Sequence, residues 1–327
     1  MSLGWRALGN LGTVVERLLQ ITEDVKVTNR ILSAVEIASR CGQAISVDEL
    51  ALMLPFDGQS TSLQVIIQKD PGLSKSLVTE KNLIVQRGFE HLFSERAIRE
   101  NVSRRYSEIA KTFVSQLKCR SSNVKLMGIC GSVAYGSALE SDDIDLFLVT
   151  EKNRLWLFLL KGLILARALN LKATIGGKKT NFCLSYVADE EHFEDVIKHN
   201  RSALFARELL STRVLIGKNY YNTLLERANW ISQLFPKLYS SKLATQQNET
   251  AAKSDGRFQT IIKDILDLLV YAAVGNYLSL TALLRNLTYR KQGKMRDLFK
   301  AKISKGSCVY TSERYRELEK MYNYMVK

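Results

Sequence analysis

Two apolar segments separated by a short Gly- and Ser-rich connection constrain the fold of this 327-residue chain more than any other feature. The first segment runs from Val124 to Cys130, and the second runs from Ile144 to Val149. Their length and their large apolar residues are typical of buried strands. The connection of about a dozen residues has room for one short helix. The pattern therefore predicts two strands at the centre of an α/β unit.

Two aspartates stand at the start of the second predicted strand, at positions Asp143 and Asp145. Side chains at i and i+2 lie on the same face of a strand, so both carboxylates are expected to point the same way. Neighbouring carboxylates repel each other unless they share a cation, and hard oxygen ligands suit Mg²⁺ or Mn²⁺. We therefore predict that Asp143 and Asp145 hold a catalytic metal ion.

The connection itself has the composition of a phosphate-binding loop. Gly131 allows the backbone to approach a phosphate closely, and the Ser132 hydroxyl and nearby amides can hold its oxygens. Tyr135 and Ser137 lie in the same loop and are expected to border a nucleotide. Arg154 follows the second strand and is expected to reach a phosphate. A phosphate cradle beside paired carboxylates is typical of metal-assisted phosphoryl transfer.

The segment resembles the signature of the DNA polymerase β-like nucleotidyltransferase superfamily, which joins a Gly-Ser element, a helix and a strand with alternating hydrophobic and Asp positions. Gly131-Ser132 matches the first element, and Asp143 and Asp145 match the two metal aspartates. The resemblance implies transfer of a nucleoside monophosphate from an NTP to a hydroxyl acceptor, with Mg²⁺ or Mn²⁺ as cofactor and pyrophosphate as product. Between roughly residues 85 and 240, the chain also resembles a group of prokaryotic nucleotidyltransferase-domain proteins, in the stretches Ile144–Trp156, Asn181–Cys183, Ala206–Leu210, Ala228–Trp230 and Phe235-Pro236.

One departure from the superfamily concerns a third carboxylate, which a later strand usually supplies. The next predicted strand, Asn181 to Val187, contains no acid, whereas Asp189, Glu190 and Glu191 follow it. Asp189 is the candidate to complete the site and to deprotonate the attacking hydroxyl. Asp142, which precedes the metal pair, is expected to be solvated. Without a third acid, the chain would be a slow enzyme or a nucleotide-binding protein without turnover.

The fold class predicted for the whole chain is an α/β (α+β) nucleotidyltransferase core with a mixed sheet and two flanking modules. Residues 1–88 have the order of a winged helix-turn-helix, three helices and then a hairpin with its turn at Glu80–Asn82. The core is expected to span residues 89–195 and to begin with a long helix from Phe89 to Leu117. Residues 196–327 are predicted to be helical, as is the whole chain from Glu190 onward, with a flexible loop at 245–256.

The charge balance bears on the acceptor. Lys and Arg number 47 against 33 Asp and Glu, and the net charge of +14 favours polyanionic partners. RNA is therefore the preferred acceptor, while a protein hydroxyl or a small molecule remains an alternative. Lys178 and Lys179 could contact triphosphate or nucleic acid, whereas Trp156 and Trp230 are expected in the core. A non-enzymatic alternative is a regulator that binds DNA or a partner through its winged module and senses nucleotide.

The remaining composition indicates a cytoplasmic protein. Five cysteines without CxxC spacing do not suggest a zinc site or a disulfide framework. Two apolar segments, Leu155–Leu171 and Leu266–Leu284, are interrupted by polar residues and fall short of a clean span of about 20 apolar residues. We predict that both are buried amphipathic helices and that no stable membrane insertion occurs, while membrane association stays an alternative for the second segment.

Overall fold

The computed structural model describes residues 26–56, 60–118, 123–173, 182–243, 257–295 and 298–327. Lys178, Lys179 and the predicted loop at 245–256 lie outside these ranges. The described chain is a mixed α/β structure in which helices pack on a six-stranded mixed sheet. A smaller three-stranded sheet belongs to the amino-terminal part.

The amino-terminal part is a helical unit closed by a hairpin. Ser46 and Glu49 form a capping box at the start of its second helix. Ser46 Oγ accepts from Glu49 N at 3.1 Å, and Glu49 Oε2 accepts from Ser46 N at 2.7 Å. The predicted hairpin is also present, with Lys81 and Asn82 at positive φ in its turn. A short strand and a fourth helix are additions to the prediction. The elements are α1 (residues 26–40), β1 (Ile45–Ser46), α2 (Val47–Met53), α3 (Ser60–Lys69), α4 (Pro71–Ser76), β2 (Leu77–Glu80) and β3 (Leu83–Gln86).

The central part contains the predicted long helix and the predicted strands. The two apolar segments pair antiparallel, and the second of them pairs in parallel with the strand that begins at Phe182. Parallel and antiparallel neighbours together make the sheet mixed. The elements are α5 (His91–Lys118), β4 (Val124–Ile129), α6 (Gly131–Tyr135), β5 (Ile144–Thr150), α7 (Leu155–Ala173), β6 (Phe182–Asp189), α8 (Glu190–His199) and α9 (Ala203–Ser211).

The prediction that the chain is helical throughout from Glu190 onward was wrong. Three later strands join the large sheet, whose order is β7-β4-β5-β6-β9-β8. They are short, and only Phe299–Ser304 alternates apolar with polar residues throughout, so their period-2 signal is weak and easily lost between longer helical segments. The remaining elements are β7 (Arg213–Ile216), α10 (Lys218–Arg227), α11 (Asn229–Leu234), α12 (Pro236–Leu243), α13 (Arg257–Val270), a π-helical turn (Tyr271–Gly275), α14 (Asn276–Lys291), β8 (Phe299–Ser304), β9 (Ser307–Ser312) and α15 (Glu313–Met325).

The two longer apolar segments, Leu155–Leu171 and Leu266–Leu284, differ in burial. The amino-terminal half of α7 is largely buried, as predicted, and Trp156 is fully enclosed. The segment Leu266–Leu284 lies in the continuous helix formed by α13, the π-helical turn and α14, and the prediction that it is buried was wrong. Only one side of this helix meets the body of the protein, at α7 and β8, so most of its large apolar side chains remain exposed.

Two large apolar clusters hold the described chain together. One lies between the sheet, α5 and α7 and contains Phe113, Leu146 and Trp156. The other combines residues of the amino-terminal unit, such as Leu50, with residues of the carboxy-terminal helices, such as Leu204. The second cluster therefore includes residues from both sides of the domain boundaries predicted at 88/89 and 195/196. These two boundaries stay predictions.

Candidate functional site

The Gly-Ser loop and the aspartate strand meet at one end of the β4–β5 pair. Cys130 N donates to the backbone oxygen of Asp145 at 3.0 Å, which fixes the register where β4 ends. Gly131 follows with φ +64°, in the left-handed region that favours glycine. A Cβ atom added at Gly131 would collide with the carboxylate of Asp145. The sequence therefore placed two parts of the predicted site correctly against each other.

Asp143 and Asp145, the aspartates predicted to hold a metal ion, flank the buried Ile144 at the start of β5. Ile144 and Leu146 are completely buried on the opposite face, as the two-residue period of a strand requires. Asp145 is partly exposed, and Asp143, just before the strand, is exposed. Both carboxylates can therefore be reached from solvent beside the Gly-Ser loop.

The loop after β4 folds into α6, a helix of only five residues. Gly136 ends it in the left-handed conformation with φ +77°. Ser137 N then donates to Ser132 O at 2.9 Å, which closes the loop. Ser137 is buried, and its own carbonyl accepts from Arg99 Nη1 at 3.1 Å. The Ser132 side chain is partly exposed at the open end of this loop.

Glu208 of α9 is a component of the site that the sequence did not reveal. Its carboxylate accepts a hydrogen bond at 2.9 Å from the Tyr135 hydroxyl, and the Gly131 amide lies near enough to lower its pKa. Burial raises the pKa of Glu208 and the charge of Asp145 raises it further, while Tyr135, Arg207 and the Gly131 amide oppose the shift. Glu208 therefore supports the Gly-Ser loop from behind, next to the metal pair.

This contact changes the expected roles of two loop residues. The Gly131 N–H, expected to face phosphate, lies near the Glu208 carboxylate and lowers the pKa of Glu208. The Tyr135 hydroxyl also faces Glu208, and the Arg207 guanidinium lies over the Tyr135 ring, 5.6 Å from its centre. Burial raises the pKa of Tyr135 well above its ordinary value. A signal was present in the sequence, because Glu208 lies in one of the stretches that carry the family resemblance.

The structure does not bring Asp189 to the metal pair. In the parallel register of β5 and β6, Asp145 lies beside Cys183, whereas Asp189 lies beside Thr150. Five residues of strand separate the two positions by about 17 Å. Asp189 instead caps α8, where Oδ1 accepts from His192 N at 3.0 Å. Asp189 therefore cannot complete the site, and its prediction as a catalytic residue is corrected.

Arg154 is also remote from the metal pair, because it follows the far end of β5. Its side chain is buried and forms an ion pair with Asp264 of α13. Its Nη1 also donates to Asn153 O at 2.6 Å. The prediction that Arg154 reaches a phosphate is therefore corrected: the residue joins α7 to α13.

The acid before the pair has a local structural role. Asp142 Oδ2 accepts from Leu139 N at 3.0 Å, and Asp142 N donates to Leu139 O at 3.1 Å. We expected Asp142 to be solvated, but it is partly buried in this turn. The turn sets the chain direction at the entry to β5, immediately before the metal pair.

Basic side chains adjoin the loop on two sides. Arg213, at the start of β7, donates from Nε to Ala134 O at 3.0 Å, and burial lowers its pKa. On the other side, a small cleft lies between the loop and the amino-terminal unit. Arg96 and Arg99 line this cleft together with Gly136. Arg96 forms a two-pronged ion pair with Glu49 at 2.8 and 2.9 Å.

The residues present suit a magnesium ion that arrives with a nucleotide. Within the described ranges, no three His, Cys, Asp or Glu side chains come together as a metal-binding group. Mg²⁺ is commonly held by one or two carboxylates, with water and substrate phosphates as the other ligands. Asp143 and Asp145 can provide the two carboxylates.

Comparisons of the chain with protein-family models, with characterised proteins and with solved structures found no significant match in any of the three.

Proposed function

We propose that the protein is a metal-dependent nucleotidyltransferase that moves a nucleoside monophosphate from an NTP to a hydroxyl acceptor and releases pyrophosphate. The observation that carries the proposal is the direct packing of Gly131 on Asp145, with the exposed Asp143 two residues earlier in the chain. This packing joins a loop of the phosphate-binding type to a pair of metal-binding carboxylates. Either element alone is common in proteins, and their juxtaposition at one strand end is more specific.

Each residue has a defined task in this proposal. Asp143 and Asp145 hold Mg²⁺ or Mn²⁺, which when bound offsets the charge of the triphosphate. Ser132 donates its hydroxyl to a phosphate oxygen. Glu208 holds the loop through its hydrogen bond with the Tyr135 hydroxyl. Since no third metal-binding side chain joins Asp143 and Asp145 within the described residues, metal binding is expected to strengthen when an NTP is present.

RNA is the acceptor that the charge of the chain favours. The net charge of +14 attracts a polyanion, and Arg99 and Arg213 flank the Gly-Ser loop. A protein hydroxyl and a small molecule stay alternatives, because attraction by net charge carries no chemical specificity. The cytoplasmic location and the nucleotide-facing role of Ser137 also stay proposals.

The test is incubation of the full chain with each radiolabelled NTP, Mg²⁺ or Mn²⁺, and total cellular RNA. The double variant Asp143→Asn/Asp145→Asn removes both metal ligands at nearly constant volume. We expect label to enter RNA, or the protein itself, and to be lost in the double variant.

Asp189→Asn is the matched control for this experiment. Asn caps a helix about as well as Asp, so the α8 start should persist. Because Asp189 lies at the opposite strand end, transfer should continue at the wild-type rate. If the Asp143→Asn/Asp145→Asn protein still transfers label, the catalytic site must lie elsewhere in the chain.

A nucleotide-sensing regulator is the second candidate. It is favoured by the lack of a three-acid group among the described residues and by the contact of Arg99 with the Ser137 carbonyl. Arg99 follows the amino-terminal unit, so nucleotide at the loop could alter DNA or partner binding by that unit. NTP binding without label transfer, together with salt-sensitive binding to duplex DNA, would favour this function.

A further inference from the structure

The longest exposed apolar surface of the described chain lies on the helix formed by α13, the π-helical turn and α14. Eleven large apolar side chains between Ile261 and Leu287 are each 44–61% exposed, and we call them the exposed helix face. From Ile261 to Lys291 the helix is 31 residues long, with a mean hydropathy of 1.4 in its most apolar window. Its length is about 46 Å. Apolar patches on monomeric proteins rarely exceed a few hundred Å², so this surface calls for a partner.

The opposite side of the same helix is fixed to the body of the protein. Asp264 pairs with Arg154, and Asp267 accepts from the backbone N–H of Leu157 at 2.9 Å. Further along, Asn286 exchanges two hydrogen bonds with the backbone of Phe299, at 2.7 and 3.1 Å. Buried contacts at both ends therefore hold the helix flat along the protein. A helix held in this way can lie on a surface and cannot cross a bilayer without losing these contacts.

The charges of the helix are sorted between its two sides. Its only acids are Asp264 and Asp267, and both are used in contacts with α7. No charged residue occurs from Leu268 to Leu284. The exposed side chains beyond this stretch include basic ones, listed here in chain order: Arg285, Arg290, Lys291 and Lys294.

These charges decide between two kinds of partner. In a parallel pair of two copies, the basic residues at 285–294 would face their own equivalents. In an antiparallel pair they would face the end whose two acids, Asp264 and Asp267, are already engaged on the α7 side. A second copy therefore offers these basic residues no free opposite charge in either arrangement. An anionic lipid surface complements the basic residues and accepts the apolar side chains between them.

We propose that the exposed helix face binds the surface of an anionic membrane, with the helix lying in the plane of the interface. The proposal goes beyond the proposed transferase function and does not depend on it. It agrees with the expectation that no stable insertion occurs, because the helix stays attached to the sheet. Anionic headgroups would contact the basic residues at 285–294, and acyl chains would receive side chains such as Leu269 and Leu280.

The test is co-sedimentation of the full chain with vesicles of phosphatidylcholine alone and of phosphatidylcholine mixed with phosphatidylglycerol. Binding is expected only to the mixed vesicles. Leu269→Glu/Leu280→Glu places two charges on the apolar surface and should weaken binding more than tenfold. Arg290→Gln/Lys291→Gln should weaken it by about fivefold per residue. Both pairs are solvent-exposed, so thermal melting should show intact folding.

Val65→Glu/Ile98→Glu is the matched control, because it introduces the same charges at exposed apolar positions outside the exposed helix face. This variant should bind the mixed vesicles nearly as well as the wild type, with only the small loss due to its net charge. Equal binding to both kinds of vesicle would overturn the assignment of an anionic surface. The surface would instead be assigned to a second copy if two results were found together. The protein would not bind vesicles, and light scattering would show a dimer that Leu269→Glu/Leu280→Glu dissociates.

Discussion

At the scale of single residues, Gly131 connects the two halves of the candidate site. Its positive φ and its contact with the Asp145 carboxylate both exclude a side chain. Gly293 offers a comparison, since its φ is +70° but no atom lies within 4 Å of the place a Cβ would occupy. Comparing an alanine substitution at each glycine therefore separates the free-energy cost of backbone strain from the cost of the collision with Asp145.

Gly131→Ala should affect both stability and transfer. Gly293→Ala should lower the free energy of unfolding by about 1 kcal/mol, the cost of the left-handed conformation for an L-residue. Gly131→Ala should lower it further, because Asp145 must also move. Displacement of Asp145 should reduce nucleotide transfer on the order of a hundredfold. Urea unfolding and the label-transfer assay measure the two effects, and equal behaviour of the two variants would contradict the contact.

Glu208 should give the protein a distinct dependence of stability on pH. Its pKa is raised in the folded state, so ionisation of this carboxyl costs the folded state free energy. The associated stability is complete below pH 4.5, the ordinary pKa, and is lost as the pH rises through the raised value. Glu208→Gln removes this loss. We expect the stability of Glu208→Gln relative to the wild type to increase as the pH rises from 4.5.

Urea unfolding of both proteins across this pH range measures the effect. Glu317→Gln, which changes an exposed carboxylate, serves as the control and should show little difference from the wild type. A difference between Glu208→Gln and the wild type that is constant with pH would show that Glu208 does not titrate in the expected way.

At the scale of elements, the joint between α7 and α13 fixes the exposed helix to the sheet. Arg154 is 7% exposed and pairs with Asp264, and Asp267 caps the start of α7 through Leu157 N. Burial raises the pKa of Asp267, whereas its backbone hydrogen bonds and the charge of Arg154 act to lower it. The positive charge of Arg154 therefore stabilises two carboxylates at one helix contact.

Arg154→Gln tests whether this joint is structural. The substitution leaves Asp264 and Asp267 without their cation and should lower the free energy of unfolding by about 2 kcal/mol. Nucleotide affinity should be unchanged, because Arg154 lies past the far end of β5. Urea unfolding and calorimetric titration with an NTP measure the two quantities. A loss of NTP affinity at unchanged stability would restore the phosphate-contact role predicted from sequence.

At the scale of the whole molecule, the amino-terminal unit and the carboxy-terminal helices share one apolar cluster. Leu50 and Leu54 belong to the same buried group as Leu204, Phe235 and Tyr322. The ion pair of Arg96 with Glu49 and the cleft beside Gly136 lie where the amino-terminal unit also meets α5 and the Gly-Ser loop. Shared burial of this kind couples the folding of the parts it joins.

Unfolding of the full chain should therefore be one cooperative transition in scanning calorimetry. Removal of residues 1–88 would expose the apolar side chains that face Leu50 and Leu54. We expect the shortened chain to aggregate or to bind a hydrophobic dye strongly. Two separate calorimetric transitions, or a monomeric shortened chain with native near-ultraviolet circular dichroism, would instead support independent domains.

The sequence alone determined the local parts of the candidate site. The runs Val124–Cys130 and Ile144–Val149 predict strands because apolar residues are continuous in them, and both are strands in the structure. The same-face placement of Asp143 and Asp145 follows from the period of a strand, and the glycine after β4 marks a close approach of the backbone. These features depend on residues that are near in sequence.

Only the tertiary structure decided which distant residues complete the site. The parallel register of β5 and β6 carries Asp189 to the opposite end of the sheet, and the packing of α9 brings Glu208 to the Gly131 amide. The exposure of Leu266–Leu284 likewise depends on which side of the helix the sheet covers. A local pattern contains no record of strand register or helix packing, because both are set by contacts between residues far apart in the chain.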